Sequence, residues 1–199
     1  MFWFIDRIHM KSIKFSNDNI LQLAKSNEAL EQIPLLLKKR YGNQMADIWA
    51  FGVITGLRIV DMLNIRFENI SGDKLTIKLG EKGKKKHEVA LSSEAQKIIR
   101  SIKNKHPKSK YLFQSHARGV GINKPITARS VHIAFKEVGE SLSISLAPHM
   151  MRHIYAMRFF KSFAPSELAG TLSHSSVAST IYYLGRGGKG FHSLPHNEA

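Results

Sequence analysis

The chain has 199 residues, 43% of them hydrophobic, enough for one well-cored domain and hardly two. Thirty Lys and Arg against 15 Asp and Glu leave a net charge of +15. Such an excess points to a polyanion partner, most simply DNA or RNA, and no long basic amphipathic helix stands out to favour a membrane surface. With no cysteine, disulfide and thiolate chemistry are excluded, and a reducing cytoplasm is the expected setting.

Met1-Phe-Trp-Phe-Ile is apolar, but Asp6 and Arg7 end the run too early for a signal peptide or a membrane span. It reads as a short strand, or as leader before a start at Met10. Ser16 to Lys25 has the pattern of a capped helix with Ile20, Leu21 and Leu23 inward. Asn27 to Tyr41 is helical in period, with a break or kink expected at Pro34 and an end at Gly42. Asn43 to Thr55 is apolar enough for a buried helix. Gly56 then supplies a sharp turn, and Arg58 enters the first turn of a further helix. An Arg there opposes the helix dipole unless it faces an anion. Asp61, three residues on, is placed to hold it, and an ordinary surface pair is the plainer alternative.

Lys74 to Leu79 alternates apolar and polar residues, and Val89 and Leu91 resume the alternation. This predicts a β-hairpin whose loop, Glu81-Lys82-Gly83-Lys84-Lys85-Lys86, is a solvated lysine run or a phosphate contact. Ser93 to Gln96 has the form of a capping box opening a helix to about Ile102. Residues 104–110 read as a basic linker, Tyr111 to Phe113 as a short apolar segment, and Gly119, Gly121 and Pro125 as a loop. Thr127 caps a helix to Val138 that carries Arg129, His132 and Lys136.

The C-terminal part concentrates the chemistry. Pro148 suits a helix start, and His149 and Arg152, three apart, share a helix face. Buried Arg and His need partners, and a phosphate is a natural one. Pro165 to Leu172 reads as a helix. His174 follows in the polar turn Leu-Ser-His-Ser-Ser, and Ser176 caps a short helix, Val177 to Tyr183, with Leu172, Val177 and Ile181 as its buried positions. A Tyr at that helix end is a nucleophile if cations surround the phosphorus it attacks. Two other motifs are set aside. His149 and His153 have the spacing of a zinc pair, but Met-Met-Arg stands between them where a zinc helix has its Glu, so no metal is expected. Gly185 to Gly190 formally matches G-x-G-x-x-G, but no strand precedes it and too little chain follows, so it reads as a flexible basic tail.

His149-Met-Met-Arg152-His153, followed by Leu172-Ser-His174-Ser-Ser and Tyr183 nine residues after His174, resembles the C-terminal signature of the tyrosine recombinases, or phage integrases. Ser173 stands where that family usually has Gly. Thr55-Gly56-Leu57-Arg58, with Asp61 and the apolar residues after it, resembles the family's first arginine box. In the hairpin, Lys82 is followed by Gly83 and lies nine before Leu91, as the family's catalytic lysine does; Lys84 is the fallback. The spacing from His174 selects Tyr183 over Tyr182.

The resemblance implies a mainly helical fold with a small antiparallel sheet. It implies an N-terminal extension over 1–15, a catalytic domain over 16–184 and a flexible tail over 185–199. It implies a site made of Arg58, Lys82, His149, Arg152, His174 and Tyr183, with no cofactor and no metal. The activity implied is site-specific cutting and rejoining of double-stranded DNA through a 3′-phosphotyrosyl intermediate, by a tetramer assembled on two DNA sites, in the cytoplasm. Little chain precedes the first arginine box, so the separate core-binding domain of most members is expected to be absent, as in the short fimbrial-type DNA invertases and small mobile-element recombinases. A host DNA-bending protein or a partner recombinase would then assist. The rival readings are a type IB topoisomerase, which shares the nucleophile and cations, and a non-catalytic DNA-binding regulator derived from a recombinase.

Overall fold

The structure is a computed structural model that describes residues 27–79, 85–116, 123–160, 164–172 and 176–185. The helix expected over Ser16 to Lys25, the Lys82 loop, the Gly119 to Gly121 loop, the turn with His174 and the tail lie outside the described residues. What is described is mostly helical with a small three-stranded antiparallel sheet, in the order β1-β2-β3.

Helix α1 (Asn27–Tyr41) runs through Pro34 as one element, so the expected break does not occur. A proline removes one ladder hydrogen bond, and here Ile33 and Leu37, both fully buried, hold the helix on its neighbour across that point. The neighbour is α2 (Asn43–Thr55), which buries Met45, Ile48, Trp49, Phe51, Gly52 and Thr55. Its aromatic residues tie distant segments together: Trp49 meets Phe135 edge-on at 5.5 Å, and Phe51 meets Phe113 likewise at 5.8 Å. The short α3 (Ile59–Leu63) follows the Gly56 turn, with Met62 and Leu63 in the core.

The hairpin is present as β2 (Lys74–Leu79) and β3 (Lys85–Ala90), with Leu75 opposite Val89 and Ile77 opposite His87. Leu75, Ile77 and Val89 are buried, the one-sided pattern that alternation predicts. A two-residue strand β1 (Ile70–Ser71) adds to its edge through Ile70 and Leu75. Helix α4 (Ser93–Lys105) is capped by Ser92, whose hydroxyl accepts from the Ala95 N–H at 3.3 Å. The cap is therefore one residue earlier than the Ser93 box suggests. Gln96, the expected reciprocal partner, instead donates to the Leu91 carbonyl at 3.0 Å. The helix also takes in Asn104 and Lys105, which were expected in the linker.

Helix α5 (Ala128–Ser141) starts where Thr127 accepts from Ser130 N–H, and α6 (His149–Phe160) starts directly after Pro148. Helices α7 (Pro165–Thr171) and α8 (Val177–Gly185) complete the described chain. Ser176 does cap α8, accepting from Ser179 N–H at 3.1 Å. The inward residues of α8 are Thr180 and Leu184, 0% and 1% exposed, whereas Val177 and Ile181 are 40% and 42% exposed. The expectation for that face is corrected: the helix carries two i, i+4 pairs, and the packing against α6 and α7 selects Thr180 and Leu184.

Candidate active site

Three elements meet around one arginine. Helix α2 ends at Gly56, which is left-handed at φ +64° and returns its N–H to the Gly52 carbonyl at 2.9 Å. Glycine meets that demand without the steric cost of a side chain. Leu57 then plugs the core, and Arg58 follows as the N-cap of α3, not within its first turn as expected. Its extended backbone gives the helix a start, and its side chain, which makes no capping bond, is exposed.

Helix α6 brings Arg152 to the same place from the opposite side. Arg152 is buried, and its two terminal nitrogens donate to backbone carbonyls of Gly56, at 2.9 Å, and of Leu172. One residue thus joins the α2–α3 turn to the end of α7. Two oriented carbonyl dipoles offset part of the cost of burying the cation. Asp61 is half-buried in the first turn of α3. Burial pushes its carboxyl up, and the charges of Arg58 and Arg152 pull it back.

His149 opens α6. Partial burial holds its imidazole below the ordinary histidine value, and the neighbouring His132 of α5 adds to that. Its outer edge remains open to solvent. The buried His153 ring stands edge-on to it at 6.0 Å. On α5, Arg129, His132 and Lys136 are all exposed at helical spacing, which extends a basic face outward from His149. Residue 183 lies within α8, which packs on α6 and α7.

Of the six residues expected in the site, Arg152 bonds to the turn that leads into Arg58, His149 lies one turn before Arg152 on α6, and the helix carrying residue 183 packs against α6. Lys82, its fallback Lys84, and His174 lie outside the described residues. The segments that flank them are described: β2 and β3 for the lysines, and for His174 the end of α7 and Ser176. The motifs did not disclose the pull of the Arg152 charge on the Asp61 carboxyl, the influence of His132 on His149, or Tyr155. The ring of Tyr155 lies against Gly56, and a Cβ at that glycine would stand 2.3 Å from it. Among the described residues no group of three or more His, Asp or Glu is placed to hold a metal ion, and no helix is long and apolar enough to cross a membrane.

Comparison with known proteins identifies the family. Residues 15–186 match the model of the phage integrase family. The chain is 24% identical over 170 residues to the probable integrase/recombinase YoeC of Bacillus subtilis, covering 84% of this chain and 91% of that one. It is 27% identical over 164 residues to the tyrosine recombinase XerA of Pyrococcus furiosus, covering 78% of this chain and 54% of that one. Among solved structures, a Tn1549 transposon integrase in complex with transposon right end DNA superposes with a TM-score of 0.67 at 14% identity, over 79% of this chain and 60% of that one. A lambda integrase dimer bound to a core site gives 0.67 at 14% identity, over 86% and 50%. The chain spans about half the length of XerA and of the lambda integrase. With the family model covering most of its length, the chain belongs to the phage integrase family, the tyrosine recombinases.

Proposed function

We propose that this chain is a site-specific DNA recombinase that cuts and rejoins double-stranded DNA through a 3′-phosphotyrosyl intermediate on Tyr183. The observation that carries the reading is that the buried Arg152 bonds to the carbonyl of Gly56, two residues before the exposed Arg58, from a helix that packs against the one holding residue 183. An arginine pair so placed suits the charge that gathers on the non-bridging oxygens of a phosphodiester during displacement.

In this reading the Tyr183 oxygen attacks phosphorus, the new P–O bond forms, and the bond to the 5′ oxygen breaks. His149, whose imidazolium is disfavoured by burial and by His132, is suited to take the tyrosine proton. His174 donates a hydrogen bond to the transition state, and Lys82 gives a proton to the departing 5′ oxygen. The covalent intermediate keeps the phosphodiester energy, so rejoining needs no nucleotide. Fixed side-chain cations do the work that metal ions do in two-metal nucleases, and cleavage should persist in EDTA.

The matches to recombinases solved on DNA, and the basic face of α5, support double-stranded DNA as substrate. We further propose action as a tetramer on two sites, in the cytoplasm at the nucleoid, with help from a DNA-bending protein or a partner recombinase. The test is a duplex nicked near the cleavage site, which traps the covalent complex on a denaturing gel. Wild type should form adduct and Tyr183→Phe should form none while still binding DNA. Adduct from Tyr183→Phe would refute the assignment of the nucleophile.

A further inference from the structure

We infer that Tyr155 is a positioning residue that holds the two arginines in register, a role that rests on the recombinase reading above. Tyr155 lies three residues after Arg152 on α6, so the two share a face. They also address the same two segments. Arg152 donates to the carbonyls of Gly56 and Leu172. The Tyr155 ring lies against Gly56, where a Cβ would meet its Cδ1 at 2.3 Å and its Cγ at 2.7 Å. It lines the same cleft as Thr171, the residue before Leu172, whose hydroxyl eases the burial of the phenol.

The consequence follows from geometry. Gly56 sits in a left-handed turn two residues before Arg58. Its carbonyl direction sets one Arg152 bond, and its exit direction sets the start of α3. A ring pressed on its Cα limits rocking of that turn, which would move both arginines at once. The ring also lines one cleft with Thr171 and so joins the Gly56 turn to the segment that receives the second Arg152 bond. Packing alone does not call for a phenol here. Tyr155 is only half-buried, and with Phe159 and Thr171 it lines a cleft of about 430 Å³ between α6, α7 and β3. An aliphatic residue would fill the inner half of the site as well, without the link to Thr171.

The test is single-turnover cleavage by the full chain on two nicked duplexes. One has the ordinary scissile phosphodiester. The other has a methylphosphonate there, which lacks one non-bridging oxygen charge and so needs the arginine clamp less. Arg152→Ala calibrates the difference between them. Tyr155→Leu should slow cleavage of the phosphodiester by roughly 10- to 100-fold, as for a misplacement of about 1 Å, and lose far less on the methylphosphonate, with DNA affinity unchanged. Tyr155→Phe should cost about fivefold, as for one neutral hydrogen bond, and should add nothing to Thr171→Val. Equal losses on both duplexes would mark a merely structural role and overturn the inference, as would a Tyr155→Phe that cleaves like wild type. Should Tyr155→Leu melt early, the Tyr155→Phe and Thr171→Val pair decides alone: additive losses overturn the inference, and non-additive ones support it. A wild type that forms no adduct would overturn the recombinase reading and this inference together.

Discussion

Arg152 shows what a buried cation needs in order to be useful. Its two carbonyl partners come from the α2–α3 turn and from the end of α7. They fix the plane of the guanidinium, and a lysine, with one compact ammonium, has no fork to span them. Arg152→Lys should therefore lower single-turnover cleavage by roughly 10²- to 10³-fold, as for loss of one preorganised donor to a transition state, with a much smaller change in DNA affinity. Equal losses in both would argue against a clamp acting on the transition state. The second residue-scale prediction concerns His149. Burial and the His132 charge disfavour its imidazolium, so on acidification it protonates below the ordinary value of 6.5. The acid limb of cleavage is expected below that value, and His132→Ala, by removing a like charge, should move it upward. A limb that stays in place would dissociate His149 from the proton step. At this scale the motif spacing singled out Arg58, His149 and Arg152, and the structure bonds Arg152 to the turn that leads into Arg58 and sets His149 one helical turn before Arg152. Tyr155 was illegible, because its contact is with a glycine far away in sequence and no spacing rule connects the two. The choice between Lys82 and Lys84 rests on sequence spacing alone.

At the scale of elements, the site depends on how α2 hands over to α3 and how α6 lies across the junction. Helices α2 and α6 approach closely at Gly52, where a Cβ would stand 2.3 Å from the Met151 sulfur. One turn later Gly56 combines a positive φ with the Tyr155 ring against its Cα. Gly72 offers a comparison: its φ is +59°, yet nothing lies within 4 Å of its Cβ direction. Gly72→Ala should cost about 1 kcal/mol, the backbone term alone. Gly56→Ala should cost roughly 2–4 kcal/mol, because overpacking against the ring adds to it. Urea titration of both variants measures the difference, and equal costs would mean that the ring yields freely. Legibility at this scale was uneven for physical reasons. The run of α1 declared itself by period, α2 by its apolar length, α5 by its Thr127 cap, and the hairpin by alternation. The α4 cap was missed by one residue because adjacent serines compete for the same role. Strand β1 is too short to have a period. The buried face of α8 was misread because Val177 and Ile181 are more apolar than Thr180, and only the surroundings supplied by α6 and α7 decide which pair turns inward.

For the whole molecule the dominant quantity is charge. The chain carries +15, and the described residues contain few ion pairs that would neutralise it. Arg66 with Glu68 at 3.1 Å and Lys136 with Glu140 at 3.8 Å are both exposed, and such pairs contribute little and yield easily. Lys136 is therefore available to a phosphate, along with Arg129 and His132 on the same face of α5, next to His149. If that face meets the DNA backbone, binding should be governed by counterion release. Affinity for duplex DNA should fall by roughly 10³-fold or more between 50 and 200 mM salt, the range expected for several phosphate contacts. Replacing Arg129 and Lys136 together by Ala should weaken binding to all sequences alike and reduce the salt slope by about 2, one for each lost contact. Replacing Lys97 and Arg100 on α4, the helix packed against α2, removes the same formal charge from another element and should leave the slope nearly unchanged. The three proteins would be compared by fluorescence anisotropy on one duplex across the salt series. A slope that drops equally in both double variants would mean that net charge alone attracts DNA. A slope that drops only with the α5 pair would put the phosphate backbone on the face that begins at His149, where the arginines would need it.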